Sequence, residues 1–142
     1  MDNLSKTLKV SIQALKSADN ESLTGAGVDM AGYDGVLFVA GALEGEALDF
    51  SMKAQQDSAS GFGTAADLLG TATAFSTTIP AKGLAVLEIS RPEERYVRPI
   101  ITVPNAGAAT PTFCIAIQYG ARSLPVTNTG SELHVTPAEG TA

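Results

Sequence analysis

The chain has 142 residues, a formal net charge of −6, one cysteine, one histidine and no tryptophan. Its length predicts one domain, its acidic balance argues against nucleic-acid binding, and its single cysteine excludes an internal disulfide or a cysteine-based zinc site. No apolar run approaches the roughly 18 residues that cross a bilayer and no signal-peptide core is present, so we expect no membrane association and synthesis in the cytosol of the producing cell.

The first residues fit two patterns. Leu4, Leu8, Ile12 and Leu15 recur at helical spacing, whereas Leu8, Val10 and Ile12 alternate with polar residues. We favour a strand here, because a β-rich chain offers it a sheet to join. A loop and a short extended piece at Val28–Met30 are expected next.

Two strands are predicted in the centre of the chain. The apolar run over residues 35–42 is typical of a strand buried on both faces. Residues 48–55 alternate apolar and polar side chains, which indicates a half-buried strand. The short link Leu43–Ala47, which contains Gly45, predicts that these two strands form a hairpin.

The second half continues the strand pattern, with predicted strands near Ala72–Thr78 and at Leu84–Ile89, Tyr96–Val103 and Phe113–Tyr119. Short strands at this spacing, without long helices, predict an all-β fold: an antiparallel β-sandwich of the jelly-roll type. We expect residues 1–122 to form the domain and residues 123–142, rich in Pro, Thr, Gly and Ser, to form an extended C-terminal arm.

Catalytic motifs are weak throughout the sequence. Residues 61–66 (GFGTAA) superficially match a dinucleotide fingerprint, but residues 55–60 before them do not read as a strand, so we interpret the segment as a flexible loop. His134 lies in the predicted arm, and Cys114 lies within an apolar strand, where a thiol is usually an inert buried group. We therefore expect no enzyme activity, no metal and no cofactor.

The most distinctive segment is Leu84–Val103, where two apolar runs flank a charged stretch with three of the nine basic residues, Arg91, Arg95 and Arg98. The guanidinium of arginine can form two parallel hydrogen bonds with a carboxylate, and its aliphatic stem can pack over an aromatic ring such as that of Tyr96. Two readings stay open. The segment is either a network within the chain that holds a strand corner, or a contact with another chain.

Composition leaves a similar pair of alternatives. Only 17% of residues are charged, against about 25% in ordinary soluble domains. Such a protein either stays soluble through small polar groups or covers part of its surface with a partner.

The stretches RPEERYVRPIITV, IAIQYGARSLPVT and the closing PAEGTA resemble those of a group of small virion proteins of tailed bacteriophages. The segment Gly32–Val36 and the strand at Leu48–Asp57 fit the same layout, and residues 91–125 carry most of the resemblance. The likeness implies a structural protein of the capsid cement or decoration type, located on the outer surface of the head. Its implied partners are the major capsid protein and copies of the chain itself, as a dimer or trimer.

Two alternative functions are a tail or head–tail connector subunit and a carbohydrate-binding β-sandwich. The second is disfavoured by the lack of tryptophan. The contact candidates combine the charged segment with the YGAR stretch that follows the last strand: Arg91, Glu94, Arg95, Tyr96, Arg98, Tyr119 and Arg122.

Overall fold

A computed structural model describes residues 3–15, 21–41, 50–74, 84–103 and 111–131. They form one short helix, α1 (Leu4–Thr7), and ten strands: β1 (Lys9–Leu15), β2 (Leu23–Thr24), β3 (Val28–Asp29), β4 (Gly35–Gly41), β5 (Ser51–Asp57), β6 (Ala66–Asp67), β7 (Thr73–Ala74), β8 (Leu84–Ser90), β9 (Tyr96–Thr102) and β10 (Phe113–Tyr119). The strand interpretation of the N-terminal region is confirmed from residue 9 onward. No helix in these ranges is long and apolar enough to span a membrane.

The strands form two antiparallel sheets. Sheet A has the order β1-β10-β4-β8, and sheet B has the order β2-β9-β5-β6, with β3 also on β9 and β7 also on β5. The predicted all-β sandwich is confirmed, and its jelly-roll character stays a prediction.

The predicted hairpin over residues 35–55 is wrong. In sheet A, β4 is paired on both sides, by β10 and β8, whereas β5 pairs with β9 in sheet B. With both of its edges occupied, β4 has no free ladder to offer the next strand, which crosses to the other sheet instead. The linking residues lie outside the described ranges.

The core lies between the sheets and takes side chains from both. Sheet A contributes Val36, Phe38, Ala40, Ala85, Ile89, Cys114 and Ala116, and sheet B contributes Leu23, Val28, Met52, Ala54, Val97 and Ile101. Burying a large apolar side chain stabilises the fold by about 1.5–3 kcal/mol. The inward residues of β10 are small or polar, because large groups such as Phe38, Phe50 and Met52 already fill the interior.

Two buried glutamines connect sheet A to the segment around β3. The side-chain oxygen of Gln13 accepts a 2.8 Å hydrogen bond from the Gly27 amide. The side-chain amide of Gln118 donates a 2.7 Å bond to the Asp29 carbonyl. Because buried polar groups need partners, these bonds fix the position of β3 against β1 and β10.

The loop after β5 is anchored rather than loose. The carboxylate of Asp57, 3% exposed, accepts hydrogen bonds from the Ala59 and Thr64 amides and from the Thr64 hydroxyl. Phe62 in the same loop is buried and has a left-handed backbone, with φ of 51°. Residues 55–57 belong to β5, so the interpretation of residues 55–60 as not strand-like is wrong for its first part, whereas the predicted strand at 48–55 extends two residues further. The loop leads into β6 rather than a helix.

Part of the predicted arm lies against the domain. Val126 is buried and its amide donates to the Lys6 carbonyl at 2.8 Å. The side chain of Asn128 accepts a hydrogen bond from the Val10 amide and donates to two carbonyls of the N-terminal segment. Residues 132–142, which include His134, lie outside the described ranges, and the boundary at residue 123 stays a prediction.

Candidate interaction site

The charged segment forms a corner that carries the chain from sheet A to sheet B. We call residues 91–95, between β8 and β9, the arginine corner. Arg91 has a left-handed backbone, with φ of 51°, and its amide donates to the Asp34 carbonyl at 2.8 Å. The Arg95 carbonyl accepts from the Met30 amide, and the Glu94 amide donates to Gln56. The corner is therefore held by three neighbouring segments.

Arg95 is bound within the chain. Its guanidinium donates two hydrogen bonds to the Asp29 carboxylate, at 2.9 and 2.7 Å, and lies 5.2 Å from the centroid of the Tyr96 ring. The bonds from Arg95 hold the pKa of Asp29 below its usual value. Both side chains of the pair are partly exposed, so solvent screens it and its contribution to stability is small.

The remaining charges of the corner line an open cleft of about 480 Å³. Arg91, Glu93 and Glu94 come from the corner, Asp34 from the turn before β4, and Arg122 from the segment after β10. The guanidinium of Arg122 lies 3.8 Å from the Asp34 carboxylate, and Arg91 forms no ion pair with any described residue. The cleft thus presents arginines and carboxylates together, a surface suited to a polar protein contact.

A second cleft of similar size lies on the other side of the corner. Arg91, Pro92 and Glu93 line both clefts, and Asp67 and Glu88 line the second. These three corner residues therefore form a ridge at the end of the sandwich. A ridge between two depressions gives a partner shape as well as charge to recognise.

Two of the predicted contact residues have roles away from the cleft. Arg98 is half-buried: its guanidinium lies 4.5 Å from the centroid of the Phe62 ring and donates twice to the side-chain oxygen of Gln55. Tyr119 lies on sheet A, where its hydroxyl donates to Glu88 at 2.6 Å. The fold therefore separates residues that are close in sequence, and it adds Asp29 and Asp34, which the sequence patterns did not indicate because they are distant in the chain.

A second candidate surface, which the sequence patterns did not indicate, lies on sheet A. The side of sheet A that faces away from sheet B carries three rows of mostly apolar residues, which follow from the strand register. The rows are Leu15, Phe113, Gly41 and Leu84; Ile12, Ile115, Val39 and Val86; and Val10, Ile117, Leu37 and Glu88. We call these three rows the apolar face.

The outer strands of the apolar face are strongly exposed. In β1, Ile12 is 62% exposed and Val10 50%, and in β8, Leu84 is 57% exposed and Val86 49%. The pattern of β1 is inverted, since its apolar residues point to solvent while the polar Gln13 is buried. A half-buried strand normally does the opposite.

The described residues offer little support for catalysis or metal binding. They contain no group of three or more His, Cys, Asp or Glu side chains that could hold a metal ion. Burial raises the pKa of the Cys114 thiol to about 12, which leaves almost no nucleophilic thiolate at neutral pH. The expectations of no enzyme activity and no cofactor stay predictions.

The fold and the two surfaces define an all-β sandwich protein with two antiparallel sheets, a charged corner and an apolar face. Among solved structures, the PBSX exported protein XepA is similar, with a TM-score of 0.55 and 19% sequence identity over 98% of this chain. The chain spans 46% of the XepA chain, about half its length, and at this identity the likeness concerns the fold alone. No family model and no curated protein matches the sequence.

Proposed function

We propose that the protein is a non-enzymatic structural component of a bacteriophage particle, and specifically a capsid cement protein that binds the outer shell and bridges capsomers. The observation that carries the proposal is the exposed apolar face. Contiguous apolar surface of this size on a folded domain is typical of a protein that works by contact with other proteins. The low share of charged residues supports the same function.

The phage context rests on two independent likenesses. The motifs of residues 91–125 resemble small virion proteins of tailed phages, and the fold is similar to that of XepA, a phage-related protein. Neither likeness distinguishes a cement protein from a tail or connector subunit, so the position on the particle is the point to test.

In the proposed mechanism the arginine corner provides the polar contacts to the shell. Exposed Arg91 forms no ion pair with a described residue, and exposed Arg122 beside the corner lies 3.8 Å from Asp34. Both guanidinium groups can therefore meet acidic groups of a capsid protein. Individual contacts of this kind are weak, and many copies on a fixed lattice gain strength through effective concentration.

The test is electron microscopy of particles assembled with and without the protein. A cement protein adds density over the whole shell, whereas a connector adds density at one vertex and a tail subunit along the tail. Density at a vertex or along the tail, or no density, would contradict the cement function.

Charge-reversing variants sharpen this test. Replacing Arg91 and Arg122 together by Glu is expected to lower shell occupancy several-fold without changing the fold, because both side chains are exposed. The matched control is Lys53→Glu, which reverses a charge on sheet B that pairs with Asp67. If the double variant and the Lys53→Glu control show the same shell occupancy, the arginine corner does not contact the capsid.

The role of the C-terminal arm is tested by truncating the chain after Ser131. Val126 and Asn128 hold the N-terminal segment, so a truncation before them also removes contacts within the domain. Deleting residues 132–142 is expected to lower shell occupancy while leaving the melting temperature unchanged. Unchanged occupancy would exclude the arm as a shell contact.

A further inference from the structure

The apolar face covers an area that matches a protein interface. Four strands spaced about 4.8 Å apart, with seven residues rising about 3.3 Å each, give the outer side of sheet A a plane of roughly 19 by 23 Å, most of which the three rows occupy. Two such planes sum to roughly 900 Å², which approaches the roughly 1,000 Å² that a specific interface needs.

The charge of the apolar face narrows the choice of partner. Of its twelve positions only Glu88 is charged, and its carboxylate already accepts the hydrogen bond from Tyr119. Apart from Glu88 the face carries no charge, so it needs no oppositely charged partner. A flat neutral surface of this kind is complementary to itself.

The chain's own C-terminal residues are poorly suited to cover the apolar face. Residues 132–142 contain two large apolar side chains, Leu133 and Val135, against ten on the face. Edge-to-edge pairing of β1 with a strand of a second copy is also obstructed, because the Val10 amide at this edge already donates a hydrogen bond to the Asn128 side chain. Packing of face on face covers all three rows at once.

We propose that the apolar face binds the same face of a second copy, which makes the protein a face-to-face dimer. The two edge strands carry exposed apolar side chains of the face, among them Ile12 on β1 and Val86 on β8. A twofold axis parallel to the strands places β8 of one copy over β1 of the other. This arrangement packs the exposed edge strand of each copy against the opposite edge strand of its partner.

The dimer also has a consequence for attachment to the capsid, and this consequence rests on the proposed function. A twofold axis parallel to the strands leaves both arginine corners at the same end of the assembly. Two corners that point the same way bind a lattice bivalently, which strengthens attachment without any new contact.

The test is sedimentation equilibrium of the full-length protein over a range of concentrations. The wild type is expected to be dimeric at tens of micromolar, a concentration suited to an interface at the lower end of the specific size range. Ile12→Lys and Val86→Lys, each at an exposed position, are expected to weaken dimerisation at least tenfold while keeping the wild-type circular dichroism. Leu69→Lys is the matched control, because Leu69 is fully exposed outside the face.

The orientation is tested by cross-linking. A Val86→Cys protein mixed with an Ile12→Cys protein is expected to give more dimer with a short bis-maleimide than either protein alone, because these positions face each other across the axis. Cys114 adds no background, since it is fully buried.

Several outcomes would overturn the proposal. A wild type that stays monomeric excludes it, as does a dimer that persists unchanged in both lysine variants. A monomer whose apolar face binds dye only after deletion of residues 132–142 assigns the face to the chain's own terminus. A monomer whose lysine variants lose shell occupancy assigns the face to the capsid, which leaves the cement function intact.

Discussion

Tyr119 and Glu88 join two strands of sheet A that do not pair with each other. The phenol of Tyr119 on β10 donates to the carboxylate of Glu88 on β8 at 2.6 Å, and the ring crosses the intervening strand at Gly35. Any side chain at position 35 would occupy the space of the ring. The bond closes one end of the apolar face beside the arginine corner, so the two candidate surfaces meet at this point.

Gly35→Ala is expected to destabilise the protein by about 1–3 kcal/mol, because the added methyl group overlaps the Tyr119 ring. Denaturant unfolding measures the change. Gly61→Ala is the control, since no atom lies near the position of its added carbon. Equal stability of the two variants would show that the ring has another place to lie.

The Tyr119–Glu88 bond also predicts an alkaline effect. Donation to Glu88 raises the pKa of Tyr119 above its ordinary value of 10.0. The stabilisation is therefore fully present below pH 10 and is lost as the pH rises through the pKa of the folded state. Tyr119→Phe is expected to show a smaller loss of stability on the alkaline side than the wild type. Parallel pH profiles for the two proteins would contradict this reading.

The ion pair of Asp29 and Arg95 predicts an acid effect of the opposite sign. Because the arginine lowers the pKa of Asp29, its contribution is present above the ordinary value of 3.8 and is lost as the pH falls through the folded value. Arg95→Gln is expected to cost less than about 1 kcal/mol at neutral pH, since both side chains are partly exposed. The difference from the wild type should shrink in acid, which unfolding at a series of pH values measures.

Arg91 combines an unfavourable backbone with a proposed binding role. A non-glycine residue in the left-handed region costs roughly 1–2 kcal/mol, so Arg91→Gly is expected to raise the free energy of unfolding by up to about 1 kcal/mol. The same variant should lower shell occupancy. Arg91→Ala keeps the backbone cost and should lose binding without the gain in stability. If Arg91→Gly reaches the shell occupancy of the wild type, the Arg91 side chain does not contribute to binding.

Asp57→Asn is expected to loosen the loop over residues 58–64. The carboxylate accepts bonds from the amides of Ala59 and Thr64, which lower the pKa of Asp57, and an asparagine has one acceptor oxygen in place of two. Limited proteolysis should cut the variant faster within this loop, whereas Ser58→Ala should be cut at the wild-type rate. A similar loosening is expected in the wild type as the pH falls below the ordinary value for aspartate.

Local patterns predicted the strands well. The alternation over residues 48–55 and 113–119 appears as β5 and β10, and the corner between β8 and β9 lies where the charged segment indicated. Strand pairing was harder. The hairpin of β4 with β5 was inferred from a short link, but a link constrains only the distance between strand ends and not the sheet that each strand joins.

The sequence by itself determined the class of fold, the positions of the strands and the existence of a charged corner, because these depend on periodicity and on residues close in the chain. Tertiary structure alone decided the rest. Asp29 meets Arg95 across 66 positions, and the side of β10 with Phe113, Ile115 and Ile117 faces outward because the interior already holds larger groups from other strands. Periodicity separates the two faces of a strand, but the packing of the whole chain determines which face is buried.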